Sequence, residues 1–571
     1  MALGRSIRIL SHGFVLFLLA LSALAAPPPH GHISGRIVRA NGSGIGGVIV
    51  QLGGTNKVAL SNSSGAFSLD EVPPGTYTLT FIAGDQVATE ENVAVAAGTT
   101  ANVTKPVDWN LSVAETITVY SASRRTERVV DAPAAVTVAS EEDIRAAAPT
   151  GQAPKIIESA PGVDFTQSGL YDFNFNTRGF NSSLNRRVLT LIDGRDPSVP
   201  FLGAQEWAAL SYPIDEMASV ELVRGPGSAL YGANAFGGVL NMITKQPRVS
   251  PGGRLLVTGG DLSTRRADVR HAGTFGNETY YRIVGGWQQS DDFTRSRNAI
   301  TEYPGLRREA RPLALERDEI EFGGLRVDKH FSGGGGNVLT LEAGYASLEG
   351  PVFQTGIGRV QVTDVEHPWA RANFNALHYN LAAYYDARKA DNQIALASGA
   401  GLYEDSYNIH GEAQTFWDFF SNKSRVVLGT AYNTQHVDTA GPNGVQTLMD
   451  SAKSENQHAV FGQLEWNATN KVKLVGAARW DDSTLHDPQF SPKAAIVFQP
   501  TANHTLRYGY NRAFQRPNYS ELFLRAPAGQ PVNLSAIENA FKPFLGTTSL
   551  GFSAIPILAY GNSELDVEKI Q

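Results

Sequence analysis

The chain has 571 residues, 42% of them apolar, and a formal net charge of −7. This length allows several domains or one large barrel, and the mild negative charge, with basic and acidic residues interspersed, argues against a nucleic-acid partner. Cysteine is absent, which excludes disulfides and thiolate chemistry and fits an oxidising compartment.

The N-terminus has the pattern of a secretory signal peptide, which we predict over residues 1–25. Arg5 and Arg8 precede an apolar run at 14–21, and the small residues Ala23 and Ala25 suit cleavage. A transmembrane anchor is the alternative, but this run is shorter than the roughly 20 residues that span a bilayer. No later segment suggests a spanning helix, so membrane insertion would require a closed barrel.

Residues 30–106 consist of short β-prone runs separated by turn residues, which predict a small antiparallel β-sandwich. Tyr77, Leu79 and Phe81 alternate with threonines, as in a half-buried strand. With Gly65 and Phe67, this region resembles the carboxypeptidase-regulatory-like domains. It offers no recognisable nucleophile, base and orienting group, so we interpret it as an accessory module.

A linker at 107–128 contains a short β-prone segment, and residues 129–246 then read as a compact mixed α/β domain. Ser140 precedes three acidic residues and predicts a helix start. A second short helix is predicted at 152–159, and a buried strand begins at Val188 and ends at the turn pair Asp193-Gly194.

The segment ELVRGPGSALYGANAFGGVLNMITK, at 221–245, predicts two strands joined by glycine-rich backbone. Its glycines suit positions where φ is positive or another surface comes close. A phosphate-binding loop is the alternative, but the segment lacks the Walker spacing and the terminal Lys-Ser/Thr pair.

From residue 247 to 571 the chain alternates in strand fashion, with about 13 candidate strands from Arg254 onward. One face suits hydrocarbon and the other a wet lumen, as in a transmembrane barrel, although a soluble sandwich can show the same period. The apolar and polar positions that show this alternation are Leu339, Leu341, Ala343 and Tyr345 against Thr340, Glu342 and Gly344; Tyr407, Ile409, Ala413 and Trp417 against Asn408, His410, Glu412 and Gln414; and Val472, Leu474, Ala478 and Trp480 against Lys471, Lys473, Arg479 and Asp481.

Several motifs occur in the order and spacing of TonB-dependent outer-membrane receptors: ETITV, SAPGVDF, NTRGF, RRVLTLIDGR and VELVRGPGSALYGANAFGGVLNMITK. The chain resembles that family from about residue 115 to its end. The resemblance implies a mainly β protein with a plug domain inside a 22-stranded antiparallel barrel. Because about 13 strands fall short of that number and the chain ends on Lys569-Ile570-Gln571, we expect a C-terminally truncated sequence with only part of the barrel.

The resemblance also implies functional residues. It identifies Glu115, Thr116, Ile117, Thr118 and Val119 as a TonB box, for which an ordinary edge strand of the plug is the alternative. Plug arginines Arg178 and Arg224 are expected to form a latch with the barrel residue Glu568, and the alternative is that all three are solvated lumen charges.

Five aromatic residues are candidate ligand contacts at the plug apex, where their rings could stack on a chelate, corrin or sugar. Packing of the plug against the wall is the alternative. They are Tyr171, Phe173, Phe175, Phe201 and Trp207. The histidines show no metal-ligand spacing, and the sequence indicates no catalytic set and no cofactor.

We therefore predict a receptor of the outer membrane that takes up a scarce solute when TonB, energised from the inner membrane, rearranges the plug. A ferric siderophore is the favoured substrate, and cobalamin or a glycan is the alternative. The N-terminal sandwich and TonB box would be periplasmic, and lipid would surround the barrel. A secreted or surface β-rich adhesion or glycan-binding protein is the competing function, and a hydrolase lacks a nucleophile motif.

Overall fold

The computed structural model describes most of the chain from residue 30 onward, and it divides into two compact units that are considered separately. The described residues are 30–39, 42–46, 48–53, 57–62, 64–83, 86–107, 118–119, 127–128, 132–179, 181, 184, 186–276, 278–293, 300–303, 306–308, 315–331, 337–376, 378–420, 423–469, 471–501, 504–529, 531–545 and 549–571. The predicted signal peptide lies outside them.

The first unit is a sandwich of two sheets. Its strands are β1 (Gly31–Val38), β2 (Ile49–Leu52), β3 (Val58–Leu60), β4 (Ala66–Val72), β5 (Gly75–Ala83), β6 (Gln86–Val95) and β7 (Thr100–Pro106). The sheets have the orders β4-β1-β7 and β3-β2-β5-β6. Leu79 and Phe81 are buried as predicted. The sandwich is not fully antiparallel, because β7 returns to the N-terminal strand and pairs with β1 in parallel.

The second unit begins with the region predicted as the plug, whose described core is residues 132–245. Its elements are β8 (Thr118–Val119), β9 (Glu127–Arg128), β10 (Ala135–Val138), α1 (Glu141–Ala147), β11 (Val163–Gln167), β12 (Phe173–Thr177), β13 (Val188–Ile192), β14 (Ser198–Val199), β15 (Ala204–Gln205), β16 (Met217–Arg224), α2 (Ser228–Tyr231) and β17 (Gly238–Thr244). A four-stranded mixed sheet, in the order β10-β16-β17-β13, forms its centre.

Local sequence signals account for these elements. Ser140 caps α1, since its hydroxyl accepts from the Asp143 N–H while the Asp143 carboxylate accepts from the Ser140 N–H. The second predicted helix is a shorter 3-10 helix, Ala153–Ile157, with a proline in its first turn. Asp193 and Gly194 both have positive φ, as the predicted turn requires.

The glycine-rich segment joins β16 to β17 through the single turn α2. Gly232 has a φ of 81°, and a Cβ atom there would lie 2.8 Å from the Arg479 guanidinium. Both predicted reasons for glycine, a positive φ and the approach of another surface, therefore apply at this position.

The rest of the second unit is dominated by a 14-stranded antiparallel sheet, within the residues that the structure describes, called here the wall. In this sheet β25 pairs only with β26, and the other strands follow in chain order. The wall strands are β18 (Gly252–Gly260), β19 (Thr264–Phe275), β20 (Thr279–Asp291), β23 (Arg317–Phe331), β24 (Asn337–Glu349), β25 (Val352–Thr355), β26 (Gly358–Asn375), β27 (Tyr379–Ala395), β28 (Gly401–Phe419), β29 (Ser424–Asp438), β30 (Lys453–Thr469), β31 (Val472–Ser483), β32 (Gln489–Thr501) and β33 (His504–Asn511). Short elements connect to or follow the wall: β21 (Ile300–Tyr303), β22 (Leu306–Arg308), β34 (Ala513–Gln515), α3 (Tyr519–Phe523), β35 (Arg525–Pro527), α4 (Ser535–Leu545), β36 (Leu558–Tyr560) and β37 (Glu568–Ile570).

The wall has its apolar face outside and its polar face buried against the plug. Ile409 and Trp480 are exposed, whereas Asn408, Lys473 and Asp481 are buried. A soluble sandwich buries the opposite face, so this arrangement favours the transmembrane interpretation of the alternation. Among the described helices, none combines the length and apolarity needed to cross a bilayer.

A charge on the outward face should therefore be costly at mid-strand and tolerated near the end of a strand. Val460 lies in the middle of β30 and is 54% exposed, whereas Ser454 lies on the same face near the start of β30. We expect Val460→Arg to lower the free energy of unfolding in lipid by about 2–4 kcal/mol and Ser454→Arg by about 0–1 kcal/mol. A urea titration of the lipid-reconstituted protein measures both variants. Equal losses of unfolding free energy would contradict the outward orientation of the apolar face.

Candidate functional site

The plug contacts the wall through buried charged side chains, most of which are carboxylates on the plug and arginines on the wall. Asp193 lies 4.0 Å from Arg326, and the buried Asp215 pairs with Arg254, whose side chain is 37% exposed. The opposite polarity also occurs, with plug residue Arg195 bonded to Asp386. Since an isolated buried charge is very unfavourable, these pairs make the position of the plug specific.

Glu206 lies at the centre of one such group, called here the Glu206 cluster. Its carboxylate accepts hydrogen bonds from Arg388 Nε at 2.9 Å and Nη2 at 3.1 Å, and lies 2.6 Å from His367 Nε2. Arg388 also donates to Glu404 at 2.8 Å and to Gln393 at 3.2 Å. All five side chains are buried. Arg388 thus joins a plug carboxylate to a wall carboxylate.

The environment keeps the Glu206 carboxyl ionised. Burial by itself would raise the pKa of Glu206, but the Arg388 charge and the hydrogen bond with His367 outweigh it and hold that pKa below its ordinary value. The cluster is therefore a charged contact between plug and wall at neutral pH.

A second group, called here the arginine triad, consists of Arg254, Arg270 and Arg282 on the first three wall strands. Arg270 Nε lies 3.1 Å and Arg282 Nη1 3.8 Å from the Glu216 carboxylate, while Arg254 pairs with Asp215. A cavity of about 490 Å³ lies beside the triad. Its charged lining residues are Arg145, Asp215, Glu216, Lys245, Arg254 and Arg270.

Comparison with known protein families gives three matches along the chain. The model described as TonB-dependent Receptor Plug Domain matches residues 128–239, and that described as TonB dependent receptor-like, beta-barrel, matches residues 264–566. The chain belongs to the TonB-dependent receptors. The Carboxypeptidase regulatory-like domain matches residues 32–107 of this receptor, which confirms the resemblance of the sandwich.

Two curated relatives are named for different solutes. The receptor is 27% identical over 438 residues to the vitamin B12 transporter BtuB of Vibrio vulnificus, covering 71% of this chain and 64% of the relative. It is 28% identical over 385 residues to the ferric enterobactin receptor PirA of Pseudomonas aeruginosa, covering 62% of this chain and 46% of the relative. The chain spans between 46% and 64% of the length of the curated relatives that it matches.

Solved structures confirm the fold. The siderophore receptor PirA from Pseudomonas aeruginosa superimposes with a TM-score of 0.54 at 19% identity, covering 76% of this chain and 69% of the other. A mutant of the ferric enterobactin receptor PfeA from the same organism, in complex with enterobactin, gives a TM-score of 0.57 at 19% identity, covering 76% and 68%. The predicted fold class, mainly β with a plug and an antiparallel barrel-type sheet, is thus confirmed.

The residues predicted as a latch do not meet in this structure of the receptor. Glu568 instead lies 3.1 Å from Arg187, and both side chains are partly exposed. Arg224 donates to the Pro161 carbonyl at 2.5 Å, and the charge of the nearby Arg178 contributes to a lowered pKa of Arg224 after the larger effect of desolvation. The latch itself stays a prediction.

The five predicted ligand-contact aromatics are all buried. Phe173, Phe175 and Trp207 line one cavity of about 80 Å³ between plug and wall, where the Phe175 and Trp207 ring centroids are 5.9 Å apart. Tyr171 and Phe201 lie in separate apolar groups. Because ligand sites usually measure 300–1,000 Å³, this cavity is too small for a siderophore in this state, and the burial favours packing. A ligand role for these rings stays a prediction.

The predicted TonB box is described only at its end. Thr118 and Val119 form β8, whose backbone pairs with β9. Glu115, Thr116 and Ile117 lie outside the described residues.

Asp172 is a plug carboxyl that titrates near pH 6. Burial raises the pKa of Asp172 to about 6, although a hydrogen bond from the Gln354 N–H at 3.0 Å and the charge of Arg359 oppose this shift. Because the folded pKa exceeds the ordinary value of 3.8, the contribution of this group to stability is full below pH 3.8 and is lost as pH rises through 6.

We therefore expect Asp172→Asn to match the parent protein near pH 4 and to be more stable by up to ~3 kcal/mol at pH 8. The amide retains an oxygen that can accept from Gln354. Denaturant titrations at the two pH values measure the effect, and a stability difference that does not change with pH would contradict it.

The Glu206 cluster and the arginine triad were not predicted from the sequence. The signal that could have found them is the inward position of each arginine in the strand alternation, because an arginine on a buried face requires a partner. The alternation does not identify that partner.

Proposed function

We propose that the receptor takes up a scarce solute across the outer membrane, with a ferric siderophore favoured and cobalamin or a glycan as the alternatives. One observation carries this proposal. The wall has an apolar outer face, and the plug packs against its polar inner face through charged contacts. Similar proteins named as transporters of vitamin B12 and receptors for ferric enterobactin support it.

We infer that the plug must rearrange for a solute to pass. The cavity of about 80 Å³ at the aromatic residues is far smaller than a siderophore, and the Glu206 cluster holds the plug beside it. The work of breaking such contacts comes from TonB, which binds residues 115–119 on the periplasmic side after a signal peptide has directed export. Backbone pairing with an extended segment suits the transmission of force.

Binding of the predicted TonB box tests the proposal most directly. A synthetic peptide covering residues 114–124 is expected to bind a purified periplasmic fragment of TonB, and a peptide with the same residues in scrambled order is not. Lack of binding by the native peptide would overturn the TonB-dependent mechanism.

Growth assays identify the solute. The complete gene, expressed in a host that lacks its own receptors, is expected to restore growth on at least one member of a panel of ferric siderophores, cobalamin and oligosaccharides. Rescue should disappear when TonB is deleted. A glycan as the sole rescuing solute would replace the siderophore assignment.

We also propose that Arg178 and Arg224 take part in a latch to Glu568 in another state of the transport cycle. Arg224 and Arg178 lie close enough for their charges to interact, a repulsive arrangement that a carboxylate would relieve. Unchanged plug stability and uptake in Arg224→Ala would contradict this role.

A further inference from the structure

The arginine triad places like charges on neighbouring wall strands. Arg254 and Arg270 are direct cross-strand partners, and Arg282 is opposite Ala272, diagonally adjacent to Arg270. Like charges opposite one another destabilise a sheet. Asp268 lies two residues from Arg270 on the same strand, and its charge acts favourably on Arg254. One carboxylate does not offset three arginines, so the triad also depends on negative charge supplied from outside these strands.

In the described part of the chain, the carboxylates bonded to the triad belong to Asp215 and Glu216 of the plug. Some other inward arginines of the wall have a carboxylate partner two residues along the same strand, unlike Arg388, which bonds Glu206 of the plug and Glu404 of a neighbouring strand. Arg266 bonds Asp268 at 2.7 Å, and Arg479 bonds Asp481 at 2.8 Å.

This difference separates two kinds of wall arginine. When the plug moves, an arginine with a partner on its own strand remains neutralised. The triad loses Asp215 and Glu216 and becomes a cluster of net positive charge in the lumen, because the remaining carboxylate, Asp268, is already bonded to Arg266. The adjoining cavity of about 490 Å³ already lies within the 300–1,000 Å³ range of ligand sites.

We propose that Asp215 and Glu216 occupy the arginine triad in the resting state and that, after the plug moves, the triad binds the anionic oxygens of the substrate. This inference rests on the proposed uptake function and narrows it to a substrate with several anionic oxygens. Guanidinium groups bind carboxylate and other oxyanions through directed, charge-assisted hydrogen bonds, which suits a site that must accept an anion and release it.

The test uses a variant in which the resting plug no longer neutralises the triad. Asp215→Asn with Glu216→Gln keeps the side-chain shapes and removes both charges. We expect the purified full-length double variant to have a lower Tm than the parent, and ~10 mM citrate to raise that Tm by about 3 °C or more over sodium chloride of equal ionic strength. The parent protein should show no such difference between the two salts.

A wall arginine away from the first three strands provides the control. Adding Arg270→Gln to the double variant should abolish the citrate response, whereas adding Arg479→Gln, whose partner Asp481 lies on its own strand, should preserve it. Arg266 is not used because its removal would free Asp268 to neutralise Arg254. A citrate response that survives Arg270→Gln, or equal responses in the parent and the double variant, would overturn the proposal, as would no response at all.

If the double variant does not fold, Asp215→Asn alone releases Arg254, and Arg254→Gln becomes the change that should remove the response to citrate. Failure of these citrate assays rejects the anion site while leaving TonB binding and growth rescue intact. Failure of the latter two assays rejects the uptake function, whatever citrate does.

Discussion

Replacing Arg388 by Met is expected to lower the free energy required to separate the plug from the wall by about 3–5 kcal/mol. The methionine side chain has a similar length but no charge, so the carboxylates of Glu206 and Glu404 would lose the guanidinium that lies between them. Both carboxylates are buried, and without the guanidinium only His367 remains beside Glu206 and the Ser406 hydroxyl beside Glu404, which disfavours the assembled state.

The weaker contact between plug and wall should appear as faster proteolysis of the plug and as leakage of small solutes through the barrel. Arg317→Met is the matched control, because Arg317 pairs with Asp291 on an exposed part of the wall and is expected to cost less than about 1 kcal/mol. Adding Glu206→Gln to Arg388→Met should recover part of the stability, since it removes one of the two carboxylates that have lost the guanidinium. Equal stability of Arg388→Met and the parent would show that the cluster does not hold the plug.

Replacing Ile117 by Pro is expected to abolish TonB-dependent uptake. Proline removes a backbone N–H from the middle of the predicted TonB box and restricts its backbone, so the segment could not complete a strand pairing with TonB. The folded plug and wall should be unaffected, because this position precedes the plug core.

Ile117→Val is the matched control, since valine keeps the β-branched shape and the N–H, and uptake should be close to that of the parent. Uptake of a radiolabelled solute identified in the growth assay measures the effect, with the amount of each variant in the outer membrane determined in parallel. Normal uptake by Ile117→Pro would exclude strand pairing at this segment as the route of energy transfer.

Much of the fold follows from local sequence. The Ser140 cap, the Asp193-Gly194 turn and the Gly232 loop depend on the conformational preferences of a few adjacent residues, and each was predicted in place. The helix at 152–159 was predicted too long, because periodicity does not distinguish a short α-helix from a 3-10 turn that contains proline. The parallel pairing of β1 with β7 joins segments far apart in the chain, and local patterns could not predict it.

The candidate site was less predictable than the fold. The sequence predicted that Arg178 and Arg224 contact Glu568, but in the structure Glu568 forms an ion pair with Arg187. The buried plug contacts use Glu206 with Arg388, which are separated by 182 residues. No motif links such positions, because each side chain needs only to face inward from its own element.

The sequence by itself determined which residues form strands, where glycine is required and which face of each wall strand is polar, because these properties depend on spacing along one segment. Only the tertiary structure decided that the polar face is the buried one and that Asp215, Glu216 and Glu206 neutralise arginines of the wall. The physical reason is that the partner of a buried charge is chosen by distance in space, and the packing of the plug against the wall sets that distance.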